Sequence, residues 1–173
     1  MNYSKIDPMS IVDGEGLRVS LFVSGCRNHC KGCFNPDTWD FSYGKEFGPI
    51  EVNEVIEACK AKYIAGLTIL GGEPFEPENQ GALLTLIGRF KDTYPEKNLW
   101  MFTGYILERD LLPGQRKHVD VITERILDFV DVLVDGPFML AKRDISLKYR
   151  GSSNQRVLTR EDIRKLRFSE VSG

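Results

Sequence analysis

No apolar run in this chain approaches the roughly 18 residues that a membrane-spanning helix needs, so no membrane partner is expected. Nor is there a basic block. Lys and Arg total 23 against 25 Asp and Glu, a formal charge of −2, which argues against a nucleic-acid backbone as partner. The opening MNYSKIDPMSIVDGEG lacks the basic-then-apolar order of a signal peptide, so a cytoplasmic location is expected. Internal repeats, low-complexity tracts and Pro/Gly/Ser linkers are missing too. With 173 residues, 42% of them hydrophobic, the chain is long enough to bury a core without staples. It reads as one domain over 1–173, with a core at about 13–158 and a tail at 159–173.

Cysteine is scarce as well, and a disulfide framework is not expected in a cytoplasmic chain. Three of the four cysteines crowd into Cys26-Arg27-Asn28-His29-Cys30-Lys31-Gly32-Cys33, and the fourth, Cys59, stands far downstream. Clustered cysteines in this setting point to metal or redox chemistry. Thiolates suit zinc or an iron–sulfur cluster. A structural zinc site needs four closed ligands, and His29, adjacent to Cys30, is poorly placed to reach the same ion. Cys59 falls on the apolar face of a helix, where cysteine behaves as a small hydrophobe. A cubane cluster ligated by Cys26, Cys30 and Cys33 alone would leave one iron open to a ligand.

Strand and helix patterns alternate along the chain. Residues 17–25, 67–70, 99–104 and 130–136 read as strands, with a further one around 155–158; 52–64, 79–93 and 119–129 read as helices, and Thr159 with Asp162 reads as the start of another. This order implies an α/β fold with a mostly parallel sheet. Right-handed crossovers then place the cysteine loop, Gly71-Gly72-Glu73-Pro74, Thr103-Gly104 and Asp135-Gly136 on one edge, where α/β folds build their sites. Two glycines let backbone approach a ligand closely, and Glu73 can accept hydrogen bonds from an ammonium group.

Together, Cys26-x3-Cys30-x2-Cys33 and Gly71-Gly72-Glu73 resemble the signature of the radical SAM superfamily. That resemblance implies a [4Fe–4S] cluster on Cys26, Cys30 and Cys33. S-adenosyl-L-methionine would chelate the open iron, with Gly71, Gly72 and Glu73 and the residues around the last cysteine, Gly32, Cys33 and Phe34, as its contacts. It also implies a shortened, open (β/α) partial barrel and reductive cleavage to a 5′-deoxyadenosyl radical. Segments 13–41, 99–105, 130–138 and 149–157 further resemble the activases of anaerobic ribonucleoside-triphosphate reductase, Arg150-Gly151-Ser152-Ser153-Asn154-Gln155 being the most specific piece. This implies a glycine Cα on the large reductase subunit as the hydrogen donor, and a flavodoxin-type electron donor. Some relatives carry a lysine two residues after the acid that ends the fourth strand. Here Pro137 takes that place and cannot supply a cation, so the cofactor carboxylate would be held otherwise, while Asp135 can still accept a hydrogen bond from ligand or backbone.

Two other readings stay open: a small radical enzyme that makes a deazapurine precursor, and a non-enzymatic iron–sulfur or zinc module. His29, Arg18 and Arg27 read best as solvent-facing, and His118 as a surface residue. Trp39 and Phe41 read as packing that shields a cluster, and Arg150 and Asn154 as residues that order a partner-facing loop.

Overall fold

A computed structural model describes residues 1–169. Seven strands form one sheet: β1 (Asn2–Ser10), β2 (Leu17–Val23), β3 (Lys45–Glu46), β4 (Ile64–Gly71), β5 (Asn98–Phe102), β6 (Val132–Asp135) and β7 (Arg156–Thr159). Their spatial order is β3-β1-β2-β4-β5-β6-β7. The pairs β2–β4, β4–β5 and β5–β6 are parallel, whereas β1–β2, β1–β3 and β6–β7 are antiparallel. The sheet is therefore mixed rather than mostly parallel. The strand expected around 155–158 exists, but it pairs antiparallel because only the loop at 136–155 separates it from β6, with no crossover helix between them. β1 has no apolar alternation to announce it (NYSKIDPMS). Its Pro8 lies beyond the two residues that pair with β3 and within the irregularity between Asp7 and Ser10 in the pairing with β2, where no regular ladder bond is lost.

Helices α1 (Pro49–Ala58), α2 (Pro77–Thr93), α3 (Asp120–Phe129) and α4 (Arg160–Phe168) complete the fold. Proline opens α1 and α2, where its missing N–H costs nothing. α4 starts with the reciprocal cap its sequence suggests: Thr159 Oγ1 accepts from the Asp162 N–H, and the Thr159 N–H donates to the Asp162 carboxylate. α1 is shorter than the 52–64 pattern, and Tyr63 ends outside it, 64% exposed.

One core holds the protein together. Val19, Leu21 and Val23 of β2, Leu67 and Ile69 of β4, and Leu99 and Met101 of β5 share it with Val55, Leu83, Leu86, Phe90 and Ile126 of the helices. By strand alternation the opposite face of the sheet carries Arg18 and Ser20, then Thr68 and Trp100 in register with Ser20. Arg18 is not solvent-facing. β2 is an interior strand, and the guanidinium is fully buried. It donates to Thr68 Oγ1 at 2.7 Å and to the carbonyls of Glu15, Leu67 and Asn98, and lies over the Trp100 ring. Burial without a carboxylate partner pulls it down to about 10.

Candidate functional site

The parallel register sets Val23 beside Gly71, so the chain leaves β2, β4, β5 and β6 along one edge. There a cavity of about 280 Å³ is bordered by Cys26, Cys30 and Cys33, by Gly71, Gly72 and Glu73, and by Thr103 and Gly104. It reaches onto the face away from the helices, where Leu70, Phe102 and Val134 form its floor. Phe138, Tyr149, Gly151 and Gln155 close it from the 136–155 loop.

The cysteine loop is pinned at both sides. The Gly25 and Cys26 N–H groups donate to the carbonyls of Thr38 and Trp39 at 2.7 and 3.2 Å. Gly25 has φ +96°, and the Phe41 ring fills the place of a side chain there. The next residue, Arg27, is not merely solvated. Its N–H and guanidinium bond the fully buried Glu76 at 2.9 and 2.7 Å, and the guanidinium also bonds Glu78 and lies over Phe41. Glu76 also takes Lys117 at 3.0 Å and the Tyr105 hydroxyl. Burial would raise the Glu76 carboxyl, but these donors outweigh it and hold the group below its usual range. Sequence reasoning missed Glu76, although it stands three residues after Glu73 in the same turn.

All four cysteines are free thiols. Cys26 is buried, and that burial, reinforced by nearby Glu73, pushes its thiol up to about 12. Burial raises Cys30 as well. Such thiols ionise when a cationic centre compensates them. Cys59 lies in the hydrophobic core at the end of α1 and is fully buried, so it is not part of this cavity. Among the described residues no three His, Cys, Asp or Glu side chains gather tightly enough for a single ion. Three soft donors on one loop, all bordering one cavity, fit an iron–sulfur cluster that takes three protein ligands.

Glu73 ties three loops together. Oε1 accepts from the Phe75 N–H at 2.9 Å and from Thr103 Oγ1 at 2.7 Å; Oε2 accepts from the Gly104 N–H at 2.7 Å and from the Asn28 amide at 3.3 Å. It is fully buried, and desolvation pushes its carboxyl up to about 7 against those donors. Gly71 and Gly72 serve the chain's own packing. A Cβ at Gly71, whose φ is +110°, would stand 2.6 Å from Val23 N, and one at Gly72 would stand 2.8 Å from Gly25 O and 2.9 Å from Thr38 O.

The remaining expected residues are placed unevenly. Phe34 borders the cavity, 75% exposed, with its ring centroid 5.6 Å from that of Phe138. Gly32 is not in the cavity wall; its φ is +77° and it faces Leu140. Nor is Asp135. That carboxylate is buried and bonded to Arg156 at 2.8 and 2.5 Å and to the Leu107 N–H. Arg156 also bonds Glu108 at 3.0 and 2.7 Å, so its charge serves these two carboxylates and not the cavity. His29 is exposed and stacks on Trp39 at 4.3 Å, and Trp39 borders the cavity. His118 lies mostly covered against Glu124, 3.3 Å away, on the helical side. Arg150 and Asn154 order the 136–155 loop, donating to the carbonyls of Gln155 and Pro137.

Comparison with known proteins agrees with this arrangement. The 4Fe-4S single cluster domain family matches residues 12–158. An anaerobic ribonucleoside-triphosphate reductase-activating protein of Pasteurella multocida (strain Pm70) is 41% identical over 157 residues, 90% of this chain and 95% of the relative. The protein of that name from Enterobacteria phage T4 is 37% identical over 164 residues, 94% of this chain and 96% of the relative. The one from Escherichia coli (strain K12) is 36% identical over 157 residues, 90% of this chain and 96% of the relative. With three thiols, Glu73 and the strand ends meeting at one cavity, and with likeness over nearly its whole length, this chain belongs to the family of anaerobic ribonucleoside-triphosphate reductase-activating proteins, built on a 4Fe–4S single-cluster domain.

Proposed function

We propose that the chain activates anaerobic ribonucleoside-triphosphate reductase by placing a glycyl radical on its large catalytic subunit, as a single cytoplasmic domain whose sheet acts as an open partial barrel. Cys26, Cys30 and Cys33 hold the [4Fe–4S] cluster, and S-adenosyl-L-methionine binds beside it. When bound, this pair would supply a one-electron reductive cleavage that releases methionine and a 5′-deoxyadenosyl radical, which would take a hydrogen atom from a glycine Cα and leave as 5′-deoxyadenosine. A flavodoxin-type protein supplies the electron.

The chain's own residues position and shield. Gly71 and Gly72 let the β4 turn lie against the cysteine loop, which brings Glu73 to the cavity wall. Of the four donors on Glu73, Asn28 is the longest at 3.3 Å, and it is the one that the cofactor's ammonium group replaces. Trp39, Phe102 and Phe138 make the cavity walls apolar and keep water from a reactive radical. Asp135 and Arg156 fix the end of β6 rather than touch cofactor.

The observation that carries this reading is the shared cavity of Cys26, Cys30, Cys33 and Glu73, continuous with the floor of Leu70, Phe102 and Val134. The names of the relatives point to the reductase as the target. The test mixes anaerobically reconstituted protein with the large reductase subunit, S-adenosyl-L-methionine and a reductant. A glycyl doublet in the EPR spectrum is expected, and 5′-deoxyadenosine without that doublet would overturn the assignment of the target.

A further inference from the structure

The mouth of the cavity is set by Phe34, which both borders it and is 75% exposed. Here the tip of the cysteine loop meets the segment after β6. A Cβ on Gly32 would stand 3.1 Å from Leu140, and the Arg143 guanidinium lies 5.5 Å from the Phe34 ring centroid. Around this junction the chain exposes apolar side chains: Ile145 at 90%, Leu140 at 44% and Met139 at 41%. Lys142, Arg143 and Lys148 are exposed beside them, and none forms an ion pair among the described residues. Within 138–150 the only acid is Asp144, so a chain of net charge −2 concentrates positive charge at the mouth.

This segment is built, not loose. Arg143 bridges Ser152, the Met139 N–H donates to Ser152 Oγ at 3.1 Å, and the Ser153 N–H donates to the Lys142 carbonyl at 2.9 Å. The Gln155 side chain accepts from the Gly151 N–H at 2.9 Å and donates to the Gly136 carbonyl at 3.0 Å. The exposed apolar and cationic side chains are therefore presented on a fixed platform, which lowers the ordering cost of binding.

We propose that this platform is the docking surface for the polypeptide substrate, and that it takes an acidic stretch of the large reductase subunit with apolar side chains among its carboxylates. The apolar groups cover Ile145, Leu140 and Met139, and the carboxylates meet Lys142, Arg143 and Lys148. The proposal rests on the activase reading above and adds the chemistry of the contact.

The experiment measures binding of the reconstituted full chain to the large reductase subunit by anaerobic calorimetry, for wild type, Ile145→Glu, the double variant Lys142→Glu/Lys148→Glu, and Ile11→Glu. Ile11 is a control. It is 75% exposed, but it lies in the β1–β2 loop next to the start of β2, at the opposite sheet edge. Both platform variants are expected to bind about tenfold or more weakly, with Ile11→Glu like wild type. Wild-type affinity should fall as salt rises, and the doubly reversed variant should lose that dependence. Reductase-independent release of 5′-deoxyadenosine under dithionite should be equal in all four, which shows that they are folded and loaded. Platform variants that bind as tightly as wild type overturn the proposal. So does normal reductase binding combined with slower reduction by flavodoxin, because the platform then belongs to the electron donor. Wild type that binds, and loses binding in the variants, yet yields no glycyl doublet counts against the activase reading and not against the platform. Wild type that does not bind overturns both.

Discussion

Glu76 anchors the cysteine loop to the helical side of the fold through a cluster of donors. Its buried carboxylate accepts from the Arg27 N–H, the Arg27 guanidinium, Lys117 and Tyr105, and so fixes the position directly after Cys26. In Glu76→Gln the charge is lost, Lys117 is left 12% exposed without its ion pair, and one amide hydrogen faces a donor. A loss of about 1–3 kcal/mol is expected. The measurement is denaturant unfolding, together with the rate at which a chelator strips iron from the reconstituted protein. Unfolding should ease and stripping should quicken. Gly72→Ala tests a different cause. Its Cβ meets two backbone carbonyl oxygens below 3 Å, neither able to swing aside, so about 1–3 kcal/mol of stability should be lost. Thermal unfolding of the cluster-free protein reads that loss directly. At this scale the chemistry-bearing residues were legible because their spacing is local: Cys26, Cys30 and Cys33 on one loop, Gly71-Gly72-Glu73 on one turn. Asn28, Glu76 and Tyr105 were not, since their partners lie 45, 49 and 29 positions away in sequence and no local pattern marks them. Arg18 misled for a related reason. A charged residue in a strand reads as the solvent side, and only the tertiary structure shows that β2 is an interior strand with Arg18 fully buried.

Between elements, Asp131 is the joint. It stands just before β6 and accepts from Lys91 of α2 at 2.7 Å, from the Leu99 N–H of β5 at 2.8 Å and from Arg160 of α4 at 2.6 Å. Burial alone would raise its carboxyl, but these three donors together hold it below the usual range. The sign of the pH effect follows. The folded-state pKa lies below the value of about 3.9 in an unfolded chain, so the joint stabilises the fold above that pH and fades as the pH falls through the folded value. Asp131→Asn should therefore cost about 1–3 kcal/mol at neutral pH, with the gap to wild type narrowing below about pH 4. Urea unfolding of both proteins at the two pH values checks this. The four parallel strands and the helices they alternate with were visible in the sequence, since buried strands read as apolar runs and amphipathic helices repeat at helical spacing. The antiparallel flanks were not. β1 is polar along most of its length and holds a proline, β3 is two residues long, and the direction of β7 depends on the absence of a helix before it.

Over the whole molecule, the helices lie against one face of the sheet while the cavity opens at the strand ends onto the other, so core and site are separable. The two fates of cysteine make this measurable. Cys30 borders the cavity and is only half-buried, whereas Cys59 is fully buried among Val55, Ile56 and their neighbours in the core. Cys30→Ala should abolish stable iron loading yet leave the cluster-free protein within about 0.5 kcal/mol of wild type, because little packing is removed. Cys59→Ala should keep its iron and lose about 1 kcal/mol or more from the cavity left in the core. Cluster loading should also raise the unfolding temperature of wild type and of Cys59→Ala, since a ligand bound only by the folded chain stabilises it, but not that of Cys30→Ala. Iron and sulfide analysis beside thermal unfolding, with and without chelation, decides it. A Cys59→Ala protein that fails to load would show that the fourth cysteine serves the site after all, and would break the separation of core from cavity on which the whole arrangement depends.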